Sequence, residues 1–240
     1  MTTNVEEQIF MARVAEQSER FRDMVDFLKP VIAEKGSALT QDERNLLSVA
    51  FKNLVSQQRT AIRTISAIEQ NPKYTKFAGS MGDYKKRIEE ELYRNCDDII
   101  QTIRSSVLSK ASEDEPRSFF LKMIGDYCRY IAESAKGDRL EKTKNDALSA
   151  YQEAQIISEK SLNACNSIRL GLALNFSVFH YEVMQNVTKA CELGDKALQD
   201  ALDRLDDCDE ETFRDAQSII ELLRENLSLW KEEGGDNDQQ

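Results

Sequence analysis

The sequence predicts an all-α fold, and three observations carry that prediction. Only three prolines, Pro30, Pro72 and Pro116, interrupt 240 residues, and nine glycines are spread thinly among good helix formers. No stretch sustains period-two alternation, so no sheet is expected. Apolar residues recur at helical spacing, and the pattern breaks at recognisable punctuation, which divides the chain into about nine helices.

The first two helices are expected near residues 3–18 and 21–34, with Gly36 suited to stop the second. The third, 40–71, opens at Thr40 of TQDE, a threonine followed three residues later by an acid, which is the capping-box pattern. Leu47, Ala50, Leu54, Ala61, Ile65 and Ile68 supply its buried stripe. A loop at 71–83, holding Pro72, Gly79 and Gly82, leads to the fourth helix near 80–109. Pro116 suits the first turn of the fifth, 115–135, and Gly137 suits a stop after it. The sixth, 139–162, contains ALSAYQEAQIISEK, faintly like a tetratricopeptide helix, although no 34-residue period recurs strongly. The seventh, 167–184, is nearly solid with apolar residues, and helices at 187–206 and 210–231 complete the set. Residues 232–240 hold no large apolar side chain and are expected to form a disordered acidic tail. Linkers are short and no composition break divides the rest, so residues 1–231 read as one domain of antiparallel helices.

Charge and cysteine usage narrow the function. Lysine plus arginine is 32 against 43 aspartate plus glutamate, a net charge of −11. Such a surface repels nucleic acid and anionic membranes, so any anion site must be a local concentration of cations. The five cysteines, Cys96, Cys128, Cys165, Cys191 and Cys208, form no CxxC motif, and no metal site or cofactor is expected. Reduced thiols and an acidic N-terminus without a signal-peptide core predict a cytoplasmic location, with a nuclear one also left open. No run approaches 18 uninterrupted apolar residues, so no membrane-spanning helix is expected.

Three helix faces do not look like plain core. Lys52, Arg59 and Arg63 fall within about 40° of one another on the third helix, roughly opposite its apolar stripe. On the fifth, Arg129 and Tyr130 project about 100° apart, and Lys122 shares the face of Arg129. A guanidinium and a phenol hydroxyl suit an anion. On the seventh, Gly171, Leu174, Asn175, Val178 and Glu182 share one face while Leu172, Phe176 and Phe179 point elsewhere. Leu222, Asn226 and Leu229 repeat that spacing on the last helix. Taken singly, each face has a plain alternative: a solvated charge stripe, an Arg–Asp ion pair, a buried asparagine bonded to a neighbouring helix, a leucine core. Together they describe a groove with a basic wall and an apolar wall carrying two asparagines. That combination suits an extended phosphorylated peptide, whose phosphate carries −1.5 to −2 charges and seeks arginine.

At these residues the sequence resembles the 14-3-3 family. RNLLSVAFKN (44–53), GDYCRY (125–130), RLGLALNFSVF (169–179) and LLRENLSLW (222–230) match its most recognisable blocks in the expected order. The resemblance runs from about residue 4 to residue 231. It implies a cup-shaped dimer with nine antiparallel helices per subunit, binding phosphoserine or phosphothreonine segments of client proteins without catalysis. It implies a phosphate pocket of Lys52, Arg59, Arg129 and Tyr130, with Arg63 and Lys122 adding charge. Gly171, Leu174, Asn175, Val178, Glu182, Leu222, Asn226, Leu229 and Trp230 would hold the peptide. It also implies a dimer interface at Val14, Arg20, Asp23, Ala61, Ile65, Tyr84, Arg87, Ile88 and Glu91, with Arg20 pairing Glu91 and Asp23 pairing Arg87 across subunits. Homodimers and heterodimers with a sister isoform are both open.

The chain departs from the family pattern in places. SQQRTAIR (56–63) lacks two adjacent arginines, and Ala61 replaces an interface serine that can be phosphorylated. Cys128, Ile124 and Ser218 replace a usual tyrosine, lysine and leucine. Two other functions compete. An enzyme would have to use His180, the only histidine, or carboxylate pairs such as Glu90–Glu91 and Asp206–Asp207, which sit in solvated charge runs. No glycine-rich phosphate loop is present, so no enzyme is expected. A tetratricopeptide-like scaffold for unmodified peptides would keep the apolar wall and need no phosphate ligands.

Overall fold

The computed structural model describes residues 4–109, 113–205 and 208–237. Among them are nine α-helices and no strand. The helices are α1 (Val5–Gln17), α2 (Phe21–Lys35), α3 (Gln41–Glu69), α4 (Ala78–Thr102), α5 (Asp114–Ala132), α6 (Gly137–Ser161), α7 (Ser167–Glu182), α8 (Val187–Leu202) and α9 (Glu210–Asn237).

Local chemistry sets the boundaries. Asn4 caps α1, accepting from the Glu7 amide at 3.4 Å. Thr40 and Glu43 form the expected capping box: the Glu43 amide donates to Thr40 Oγ1 at 3.3 Å, and the Thr40 amide donates to Glu43 Oε2 at 2.9 Å. Gly36 ends α2 at φ +56°, which glycine adopts without strain. Gly137 has the same φ but opens α6 instead of stopping α5, which ends at Ala132. Asn166 and Asn186 cap α7 and α8 through their side-chain oxygens.

Two joints differ from expectation. The 71–83 segment is largely helical: a 3₁₀ turn covers Pro72–Phe77 and α4 begins at Ala78. Asn71 Oδ1 accepts from the Lys73 amide at 3.0 Å and sets that turn. The end of the fourth helix relaxes into a π turn, Ile103–Leu108. The tail expected from residue 232 is helical to Asn237, and residues 238–240 lie outside the described ones. Contacts beyond Trp230 account for the extension. Tyr181 donates to Glu233, and Lys231 pairs with Asp195 at 2.8 Å.

The chain packs as two compact units, Met1–Ser112 and Glu113–Gln240. In the first, α1 packs on α2 and α3 on α4. Its core is built from Met24, Leu28, Ile32, Leu47, Phe51, Leu92 and Ile99, all under 2 % exposed. In the second, the α5–α6 hairpin is the dominant contact, and α7, α8 and α9 pack on one another. Its two apolar clusters join Cys165, Leu170, Ala201, Ala216, Ile220 and Leu223, and Ala190, Leu227 and Trp230. Among the described residues no helix is long and apolar enough to cross a membrane.

Candidate functional site

The first unit presents its cations on α3. Leu46, Leu47, Ala50, Phe51, Leu54, Val55 and Ile62 are buried, which turns the opposite side of the helix outward. There Lys52 and Arg63 are exposed and Arg59 is half-buried. The Lys52 ammonium makes no ion pair among the described residues. Of the six residues expected to form the apolar stripe, Leu47, Ala50 and Leu54 are buried, whereas Ala61 and Ile65 are half-buried and Ile68 is exposed.

The second unit presents a different arrangement around α5. Asp126 is buried, and donors from three helices converge on it. Lys122 Nζ on α5 lies 2.8 Å from Oδ2. The Tyr151 hydroxyl on α6 donates to Oδ1 at 2.7 Å, and Asn175 Nδ2 on α7 donates to the same oxygen at 2.8 Å. Gly125 makes this possible, because a Cβ there would stand 2.6 Å from the Tyr151 ring. Tyr151 stacks on Phe176 at 5.2 Å and tilts against Phe179 at 5.5 Å, so the ring is fixed from the other side too. Burial pushes the Tyr151 hydroxyl well above the ordinary tyrosine value, and Asp126 adds to the shift.

Arg129, one turn from Asp126, is also buried. Burial alone would lower its pKa, but Tyr151, Tyr130 and Asp126 outweigh that and hold the guanidinium above its ordinary value. It is therefore a fixed positive charge. Its Nη1 faces Glu133 at 3.5 Å and Glu182 at 3.4 Å, both at the long limit of a hydrogen bond. Its Nε is buried with no partner among the described residues. The guanidinium carbon sits 4.8 Å from the centre of the Tyr130 ring.

Along α7, Leu174 and Val178 are half-buried, and a Cβ on Gly171 would meet nothing within 4 Å, so that stretch faces open space. On α9, Leu222 and Leu229 are 49 % and 51 % exposed, and Asn226 is half-buried between them. Leu223 and Leu227 point into the clusters. Trp230 was expected in the apolar wall. It is 3 % exposed and stacks on Tyr181 at 4.9 Å, so it supports the wall from within.

Two expectations change on this geometry and one holds. Asn175 was read as an amide awaiting a guest chain; its donor is already held by Asp126, and no hydrogen bond reaches its Oδ1 among the described residues. The positive charge of Lys122 is matched by Asp126 rather than left for a ligand. The single histidine is buried between Phe176 and Phe179, as a structural role requires. Asp126 and Tyr151 were missed as members of the site. The GDY block signalled the first, but nothing in the spacing of α6 tied Tyr151 to it. Asp206 and Asp207 lie outside the described residues.

The expected interface residues of the first unit can also be placed. Val14 and Tyr84 are exposed, Ala61 and Ile65 are half-buried, and Ile88 is buried. Arg20 Nε donates to Asp23 of the same chain at 2.8 Å, Gln58 donates to Glu91 at 3.2 Å, and Arg87 lies over the Tyr84 ring at 5.2 Å. Pairing of Arg20 with Glu91 and of Asp23 with Arg87 across subunits would exchange these contacts for new ones.

Comparison of the sequence with known proteins places the chain in a family. The family model described as 14-3-3 protein matches residues 11–231. The chain is 44% identical to 14-3-3 protein beta/alpha of Bos taurus over 234 residues, covering 97% of this chain and 95% of that protein. It is 43% identical to a 14-3-3-like protein of Helianthus annuus over 230 residues, covering 94% and 89%. It is 41% identical to 14-3-3 protein 2 of Entamoeba histolytica over 239 residues, covering 98% and 100%.

Proposed function

The chain belongs to the 14-3-3 family, and on that premise we propose that it is a phosphoserine- and phosphothreonine-dependent adaptor that clamps extended segments of client proteins and works as a dimer. Lys52, Arg59, Arg129 and Tyr130 bind the phosphate. Asn175 and Asn226 engage the guest backbone, and Leu174, Val178, Leu222 and Leu229 take its apolar side chains. No covalent chemistry is involved.

One observation carries this reading: a buried arginine that stays charged without being saturated. A guanidinium has five N–H donors. The two carboxylates near Arg129 reach a single nitrogen at 3.4 and 3.5 Å, and its buried Nε has no partner. A phosphate oxygen would offer shorter, charge-assisted bonds, each contributing roughly 1.5–3 kcal/mol. Two grooves in one dimer would also raise the avidity for a doubly phosphorylated client.

The deciding experiment is one peptide in two forms, titrated by fluorescence anisotropy. The phosphorylated form should bind and the dephosphorylated form should bind at least about tenfold more weakly. Equal binding of both would select the unmodified-peptide scaffold instead.

A further inference from the structure

A phosphate site with a buried carboxylate in its midst poses a problem, because a negative charge there opposes the ligand. We infer that Asp126 is the positioning residue of the proposed site, fixing which way round Asn175 presents its amide to the guest chain. This rests on the phosphopeptide reading and adds to it.

The argument starts from the two faces of a primary amide. Asn175 offers an oxygen that accepts and a nitrogen that donates, and in isolation either can face a ligand. Asp126 removes that freedom. Its oxygens accept from Lys122, Tyr151 and Asn175 alike, so the nitrogen of Asn175 must turn toward it, as the 2.8 Å contact has it. A flipped amide would set oxygen against carboxylate oxygen in a buried space. The oxygen of Asn175 is thereby left to meet the guest, and it can bind only a donor, a backbone N–H.

The carboxylate is itself held in register. The Tyr151 hydroxyl shares Oδ1 with Asn175, and Lys122 holds Oδ2. Tyr151 reaches this place only because residue 125 has no Cβ. Lys122 supplies a matching positive charge, which limits the repulsion Asp126 would otherwise exert on a phosphate. The same carboxylate helps keep Arg129 charged. One residue therefore sets amide polarity and supports the phosphate cation.

The test uses phosphopeptides in which single backbone amides flanking the phosphorylated residue are replaced by esters, which removes one N–H donor at a time. The wild-type chain should lose about tenfold in affinity for one of these esters. Asn175→Ala should lose that discrimination. Asp126→Asn lets the amide turn either way and should cut the discrimination below about threefold. Tyr151→Phe removes a donor from Asp126 but leaves the contact to Asn175, so it should keep the wild-type discrimination and thereby controls for loosened packing. If Asp126→Asn does not fold by circular dichroism, Asp126→Ala, which removes the carboxylate altogether, takes its place with the same expectation. Full ester discrimination in the Asp126 variant, or none at any position in the wild type, overturns the assignment. A wild-type chain that binds no phosphopeptide overturns the underlying phosphopeptide reading, and this inference with it.

Discussion

Lys52 of α3 and the cations of α5 solve one electrostatic problem in opposite ways. Lys52 stands exposed on a helix whose other side is core, and water stabilises its charge. Lys122 and Arg129 sit in the packed hairpin of the second unit, where carboxylates must do what water does elsewhere. An exposed cation is cheap to keep and loosely placed. A buried one needs partners but arrives pre-positioned, with little left to order when a ligand binds. The two regions should accordingly separate stability from binding, and substitutions can check whether they do.

Arg129→Ala should have the largest effect. It takes the cation away from the partly buried Glu133 side chain and removes one positive charge near Asp126. Loss of one partner from a buried ion-pair group costs about 3–5 kcal/mol. Urea unfolding should show that loss, and phosphopeptide binding should vanish with it. A variant of near wild-type stability would mean that the α5 network does not hold the fold.

Gly125→Ala comes next. The added Cβ would lie 2.6 Å from a ring pinned by Phe176 and Phe179, with no flexible end to move aside. Overpacking of this kind costs about 1–3 kcal/mol. Near-ultraviolet circular dichroism should report the displaced tyrosine, and an unchanged melting temperature would show that the hairpin yields more easily than its packing suggests.

Lys52→Glu and Arg59→Glu probe the other side of the comparison. Each should weaken phosphopeptide binding by at least about tenfold, while the stability of the exposed Lys52 variant stays within roughly 0.5 kcal/mol, as for most surface substitutions. Affinity unchanged in both would remove α3 from the phosphate site. Stability lost in Lys52→Glu would collapse the contrast between the two regions.

These regions also differ in how far the sequence exposes them. Spacing alone predicts the outward face of α3, because an apolar stripe and a basic stripe on one helix announce each other. The Thr40 capping box is equally local, and it forms as expected. The network of α5 is not local. Asp126, Tyr151 and Asn175 lie on three helices, 25 and 49 residues apart along the chain from Asp126, and no periodicity links them. The sequence shows Asn175 on a polar-bearing face of an otherwise apolar helix, but not its partner. Trp230 misled for a related reason: it lies next to exposed Leu229, yet the 100° turn between neighbours sends it inward. The tail misled because helix extension beyond Trp230 depends on Tyr181 and Asp195, distant residues that composition cannot reveal.

The smallest effect concerns pH, and it belongs to the second unit alone. His180 is buried against Phe176 and Phe179 at 4.8 and 5.7 Å, and its Nδ1 has no partner among the described residues. Burial lowers its pKa, and Lys189 on α8 lowers it further. The unfolded chain therefore takes up the proton first. Above the ordinary value of about 6.5 both states are neutral and the residue contributes no pH dependence. As the pH falls through that value the unfolded state is favoured, and stability declines until the lowered folded pKa is reached. Carboxylates act at lower pH: burial pushes Glu43 up, but Lys35 and Thr40 hold it below the ordinary carboxylate range, so its contribution is lost only in stronger acid. Melting temperatures at about pH 7.5 and pH 5.5 isolate the histidine. The wild type and Lys52→Glu should fall by the same amount between them. His180→Phe keeps an aromatic ring in the place and removes the proton site, so it should fall less. Equal falls in all three proteins would assign the acid sensitivity to other groups and leave His180 as packing only.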